Sequence, residues 1–213
     1  MEILQFLILP FLASLILTGI HAYLGVHVVE RGVIFVDLGG ACKAGEKAAA
    51  DFKREDTPRF RCETTSVIFD WTFDGPVNRI AQNKDTIVLE YGQLGLKRTI
   101  YVSQKEHPKN IKLSRAGHSI GHWEGDTLVV DTIGFNDKTE LQGFRHTESL
   151  HMVERFRRPD IATIQYEVTV EDPNVFQKPY TLTRTFALRP DLKRIDEFIC
   201  ENNRDYKPLF GGK

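Results

Sequence analysis

Between Ile3 and Val29 the chain carries no Lys, Arg, Asp or Glu, and Leu, Ile, Val and Phe dominate the run. Wound as a helix at ~1.5 Å per residue, such a stretch reaches about 40 Å, enough to cross a ~30 Å hydrocarbon layer with some tilt. A cleaved signal peptide fits less well, because Met1-Glu2 is not a basic n-region and the apolar run is long. The expectation is one retained transmembrane helix, with the membrane as a partner through residues 3–29. Pro10 would kink that helix, which membrane helices tolerate better than soluble ones.

Past Lys43 the composition becomes that of a soluble protein. The 213 residues include 28 Lys+Arg and 29 Asp+Glu, so the charges nearly cancel and no basic field exists to collect phosphates. A generic nucleic-acid binder is thereby excluded. Residues 45–56, GEKAAADFKRED, read as a short amphipathic helix or linker. Period-two alternation begins beyond them, clearest at Thr163–Glu171, where Ile164, Tyr166, Val168 and Val170 alternate with polar residues. Tyr180–Leu188 repeats the pattern with Arg184 interrupting its apolar side, and segments 86–91, 97–102, 128–133, 150–156 and 195–200 have similar length and β-branched content.

Turn signals separate these segments: Asp74-Gly75-Pro76, Asn83-Lys84-Asp85, Glu124-Gly125-Asp126, Pro159-Asp160, Asp172-Pro173-Asn174 and Pro190-Asp191. No helix-length segment lies between the strands, so a parallel α/β sheet is excluded. The fold class expected is mainly β, an antiparallel barrel or sandwich preceded by one N-terminal transmembrane helix. In domain terms this is a membrane segment over 1–38, a linker or short helix over 39–60, and an antiparallel β domain over 61–213.

Gly117-His118-Ser119-Ile120-Gly121 matches the G-x-S-x-G nucleophile elbow, and Asp131 followed by His146 or His151 supplies the usual chain order. The elbow requires a buried strand before the serine and a helix after it. Here Lys112–Ala116 is a poor buried strand, and residues 122–135 read as strand, Glu124-Gly125-Asp126 turn and strand. Ser119 is therefore not assigned as a nucleophile.

His118, His122, His146 and His151 fall close together in sequence, alongside Asp131 and Glu154. Imidazoles and carboxylates so concentrated are suited to acid–base chemistry or a divalent metal, although no H-E-x-x-H spacing is present. Polar positions on hairpins are the plainer account of them. Glu154 and Arg184, charged within apolar faces, are costly in a barrel interior unless paired or met by a ligand. Trp123 sits beside a hairpin turn, and Phe69, Trp71 and Phe73 share one strand face, an aromatic stripe that most simply belongs to the core. The candidate ligand-binding set is His118, Trp123, Asp131, His146, His151 and Glu154. No motif identifies a cofactor, and catalytic and metal-ligating roles stay open. Cys62 and Cys200 lie near the two ends of the β region, where a disulfide between them would suit an exported domain; two separate buried thiols are the alternative.

Two resemblances add expectations. Residues 4–38, LQFLILPFLASLILTGIHAYLGVHVVERGVIFVDL, resemble the opening of zinc/manganese-type ABC transporter permeases, yet nothing later has the apolar length to complete a transport pathway. Residues from about 50 to 205, especially RAGHSIGHWEGDTLVVDTIGFND, HTESLHMVERFRR and YEVTVEDPNVFQKPYTLT, resemble an uncharacterised exported bacterial family. Within them, ERFRR and YEVTVEDP are also similar to lipocalin-like domains, which implies a closed barrel around a small apolar or amphipathic ligand. Arg31, Lys43 and Lys47 would by the positive-inside rule hold the β domain in the cytoplasm. The exported family, and a disulfide were it formed, place it outside, and the reading adopted is a single-pass cell-membrane protein with a periplasmic β domain. Three functions remain in view: a tethered small-molecule binder, an enzyme using the His/acid cluster, and a piece related to a metal transporter permease.

Overall fold

The computed structural model describes residues 43–51, 53, 58, 62–64, 67, 79–91, 95–141 and 144–188. The expected membrane helix lies outside these residues, as do the Phe69–Phe73 stripe and the segment 195–200. Among the described residues no helix is long and apolar enough to cross a membrane. One short helix, α1 (Lys43–Asp51), occupies part of the region read as helix or linker and lies against the short strand β7. Cys62 is disulfide-bonded, and both other cysteines fall outside the described residues.

Ten strands complete the described chain: β1 (Arg79–Gln82), β2 (Thr86–Glu90), β3 (Lys97–Tyr101), β4 (His118–Glu124), β5 (Thr127–Ile133), β6 (Glu140–Leu141), β7 (Phe144–Arg145), β8 (His151–Asp160), β9 (Thr163–Glu171) and β10 (Tyr180–Ala187). Eight form one curled sheet in the order β1-β2-β3-β4-β5-β8-β9-β10, a half-barrel, while β6 and β7 pair separately. The mainly β expectation holds at this level.

Two local expectations are corrected. The β3–β4 pair is parallel, with Ile100 opposite Ser119 and Tyr101 opposite Ile120, so the sheet is not wholly antiparallel. Parallel neighbours need a crossover rather than a hairpin, and residues 102–117 supply it. Pro159-Asp160 is also not the turn. Both residues end β8, the register slips between Arg157 and Asp160, and the chain reverses at Ile161-Ala162. Proline has no N–H to give to a ladder, so it sits where pairing is already broken.

Alternation assigns the two faces of the sheet. Leu128, Val130 and Thr132 of β5 point inward, aligned with Phe156, Glu154 and Met152 of β8, and these with Tyr166, Val168 and Val170 of β9. With Leu89 and Ile100 they form a core in which most side chains are fully buried. Side chains that large, removed from water at about 25 cal/mol per Å², drive the sheet to curl over its own apolar face. The opposite face carries His118, Asp131, His151 and Glu171 at one end of the strands. At the other end, Arg155 pairs with Glu124 at 2.7 Å and Arg157 with Asp126 at 3.1 Å. These pairs flank the two-residue Gly125-Asp126 turn of the β4–β5 hairpin, where Gly125 takes φ of 62°.

Ser119 is fully buried on the inner face, its hydroxyl 2.9 Å from that of Thr132 on β5. Strand rather than helix continues beyond it, so the nucleophile elbow is absent. Ser119→Ala leaves the Thr132 hydroxyl without its partner, at an expected cost of about 1 kcal/mol. Chemical denaturation of the variant checks this.

Candidate functional site

The crossover between β3 and β4 is fastened to the end of β5. Ser114 N–H donates to the Gly134 carbonyl at 3.1 Å, and Asn136 N–H donates back to the Ser114 carbonyl at 2.9 Å. Gly134, at φ of 77°, lets Ile111 come so near that an added Cβ would lie 2.5 Å from Ile111 Cγ2. This close docking brings His107, a loop residue, over the outer face of β4 and β5.

A continuous polar chain results. His107 Nδ1 lies 2.9 Å from His118 Nδ1, and His107 Nε2 lies 2.8 Å from Asp131 Oδ1. The second Asp131 oxygen, Oδ2, lies 3.0 Å from His151 Nε2, and His151 Nδ1 lies 2.5 Å from Glu171 Oε1. Tyr101 stacks on His118 with centroids 5.2 Å apart and planes 14° from parallel. The members are half-buried, the His107 side chain being 15% exposed and that of Glu171 46%.

Chemistry fixes much of the proton placement. His151, between two carboxylates, donates from both nitrogens and is an imidazolium: the bond to Asp131 raises its pKa, burial opposes, the bond to Glu171 adds, and the result is about 9. The His151 bond in turn draws the Asp131 carboxyl below its ordinary range against burial, helped by His107. An ionised carboxylate only accepts, so His107 Nε2 carries a proton toward Asp131. In neutral His107 the other nitrogen, Nδ1, is then an acceptor, and His118 Nδ1–H must donate to it. His118 Nε2 is left with a bare lone pair and no hydrogen-bond partner among the described residues. Burial, then the neighbouring His107, lower the His118 pKa and keep that lone pair free at neutral pH.

Of the six candidate residues, the fold unites His118, Asp131 and His151 and separates the rest. His146, 3% exposed, lies beyond β7 with Nδ1–H donating to the Thr147 carbonyl at 3.0 Å. Its Nε2 lies 2.6 Å from the Thr139 hydroxyl, and its ring meets Phe135 edge-on. Both nitrogens are committed and burial lowers its pKa, so this histidine is a structural one. Trp123 stands at the far end of β4, 51% exposed. Glu154 faces the interior, where Oε2 accepts from Arg98 Nη2 at 2.8 Å and Oε1 accepts from the Tyr166 hydroxyl at 2.9 Å. Arg184, the other charge within an apolar stripe, is exposed near the sheet edge, with Nη1 donating to the Thr183 carbonyl.

His107, Glu171 and Tyr101 were not among the candidates. Glu171 carried a readable signal, since strand parity puts it on the face of Asp131 once the β8–β9 register is known; His107 carried none, because a loop docked from a distance has no period. Among the described residues no group of three His, Cys, Asp or Glu side chains is arranged to hold a metal ion. Comparison with protein-family models, curated proteins and solved structures finds no match to this chain.

Proposed function

We propose that this chain is a membrane-tethered β domain that performs acid–base chemistry on a small molecule, with His118 Nε2 as the group that takes and returns the proton. The tether rests on the charge-free run over residues 3–29. The chemistry rests on one observation, the Glu171–His151–Asp131–His107–His118 chain, which leaves a single imidazole lone pair at its outer end. Each residue has a part. Asp131 fixes the His107 tautomer, His107 fixes that of His118, and Tyr101 holds the His118 ring in plane. Asp131 and Glu171 against one His151 imidazolium leave the cluster with one net negative charge, which favours a proton arriving on His118. The substrate class is a molecule whose O–H or C–H proton leaves for Nε2, or one attacked by a water so deprotonated.

Free histidine favours the Nε2–H tautomer, so the opposite form at His118 is a discriminating expectation. Full-length protein labelled with nitrogen-15 in its imidazoles should show His118 protonated at Nδ1 and bare at Nε2 near pH 7.5. Diethylpyrocarbonate should then modify His118 faster than the doubly bonded His146. A His118 found in the Nε2–H form, or one that reacts no faster than His146, overturns the assignment.

A further inference from the structure

His107 and His118 face each other through like nitrogens, Nδ1 to Nδ1 at 2.9 Å, and their rings meet edge-on with planes 69° apart. One proton fits between those two lone pairs, and an imidazole can hold it from either side. The titratable groups beneath the pair come from each strand around it: Tyr101 on β3, Asp131 on β5, His151 on β8 and Glu171 on β9. Lys105, Glu106 and Lys109, on the crossover itself, are exposed to solvent. Of the two rings, His107 is the one bonded to a carboxylate, its Nε2 lying 2.8 Å from Asp131 Oδ1. Among the described residues His118 meets no carboxylate, and its other contact is the face of Tyr101.

We infer that His107 is a relay residue: when His118 Nε2 takes a proton, the bridging proton passes from His118 Nδ1 to His107 Nδ1, and the positive charge comes to rest on His107. This rests on the reading of His118 Nε2 as the working base. The step balances. The electron pair of the broken substrate bond stays on the substrate, an N–H bond forms at His118 Nε2, and the bridging N–H is broken at His118 and made at His107. His118 ends neutral in the opposite tautomer, and reversal of both transfers returns the proton. With His107 cationic, Glu171, His151, Asp131 and His107 alternate in sign along the chain, each bonded to its opposite. His151 is already held as an imidazolium by its two carboxylates. A cation kept on His118 would be separated from Asp131 by a neutral ring. It would gain only the face of Tyr101, a weaker contact than a charge-assisted hydrogen bond. Burial, and then His107, also resist charge on His118. A His107 that merely fixed the tautomer would leave the charge on His118, so the two roles predict different spectra.

The test follows the imidazole nitrogens of the full-length protein, labelled with nitrogen-15, from pH 7.5 down to 4.5, with His107→Gln as comparison. The glutamine amide offers His118 an oxygen acceptor and Asp131 an N–H donor but takes up no proton in this range, so both hydrogen bonds persist without the relay. In the parent, acidification is expected to move the His118 proton signal from Nδ1 to Nε2, one nitrogen staying bare throughout, while His107 becomes protonated at both. In His107→Gln, His118 should instead become protonated at both nitrogens, and at a lower pH than the parent's exchange. A parent His118 that becomes doubly protonated before or together with His107 overturns the relay and leaves the tautomer assignment standing. A parent His118 that already carries its proton on Nε2 at pH 7.5 overturns both. A parent pair that takes up no proton by pH 4.5, or a variant whose His118 titrates as the parent's does, also overturns the relay. The parent titration decides by itself, so a variant that fails to fold does not shelter the inference.

Discussion

Replacing Glu154 by Ala is expected to destabilise the protein by about 3–5 kcal/mol, the cost of stranding one half of a buried ion pair. Arg98 and Glu154 side chains are 1% and 3% exposed, and they meet at 2.8 Å from β3 and β8, with β4 and β5 between them in the sheet. Without the carboxylate, the Arg98 guanidinium loses its only hydrogen-bonded partner among the described residues, and the Tyr166 hydroxyl loses its Glu154 acceptor. Deprotonation offers the arginine no escape at ordinary pH, so the charge stays in the core. The pair itself is not a net source of stability, because two desolvated charges roughly repay their own burial. Arg98→Met/Glu154→Leu should therefore fall within about 1.5 kcal/mol of the parent, despite removing more of the native interaction than the single change does. Denaturant midpoints of the three proteins measure the contrast. A single variant no worse than the double one would mean that water reaches Arg98 and screens it.

How much of this fold could be read from the sequence depends on how local each cause is. The alternation of Thr163–Glu171 and the Gly125-Asp126 turn are written in adjacent residues, and both elements stand where their pattern puts them. The parallel β3–β4 pair was hidden because a crossover of polar, irregular sequence carries no period announcing which way the next strand runs. Pro159 misled in a more instructive way. As a turn residue it would have set a regular hairpin, whereas as part of the register slip it shifts β9 by one position and places Glu171 opposite His151. A one-residue slip exchanges the faces of a strand, so the outer carboxylate of the site depends on that irregularity. The concentration of His and acidic residues was visible from the start, yet sequence proximity selected wrongly within it. His146 is five residues from His151 but faces Thr139 and Phe135, while His107, much farther from His151 in sequence, joins the chain through Asp131. Glu154 stood out as a charge in an apolar stripe, and its partner Arg98 was found only when β3 and β8 were brought around one core.

Asp131→Asn should be the more revealing change at the outer face, because it removes the acceptor on which two imidazoles depend. Its largest consequence is electrostatic. His151 has a folded pKa raised above the ordinary 6.5 to about 9, so its stabilising contribution is full below 6.5 and is lost as pH rises through about 9. Asp131 has a lowered pKa, so its contribution is present above the ordinary carboxyl value of 3.8 and is lost as pH falls through the depressed one. His118, lowered by burial and His107, works against the folded state as pH falls below 6.5. The parent should be most stable near pH 6.5, since the His151 contribution declines above it and the cost of charging His118 grows below it. With Asp131 38% exposed and Glu171 46% exposed, solvent screens these terms, and a loss of about 2 kcal/mol near pH 7 is the expected size for Asp131→Asn. The loss should shrink toward pH 9 and above, where the parent's own His151 gives up its proton, and the variant's His151 should titrate at a lower pH because only Glu171 remains. An amide can also donate, so the substituted side chain no longer obliges His107 Nε2 to carry the proton, and His118 should revert toward the Nε2–H tautomer. Thermal melts from pH 5 to 10 and imidazole nitrogen spectra read the two effects independently. A stability difference flat across that range would mean that Asp131 fastens the crossover loop without holding His151 charged. An unchanged His118 tautomer would mean that the proton at its outer nitrogen is set by something other than the chain behind it, and the lone pair would lose its claim to be the working end of the site.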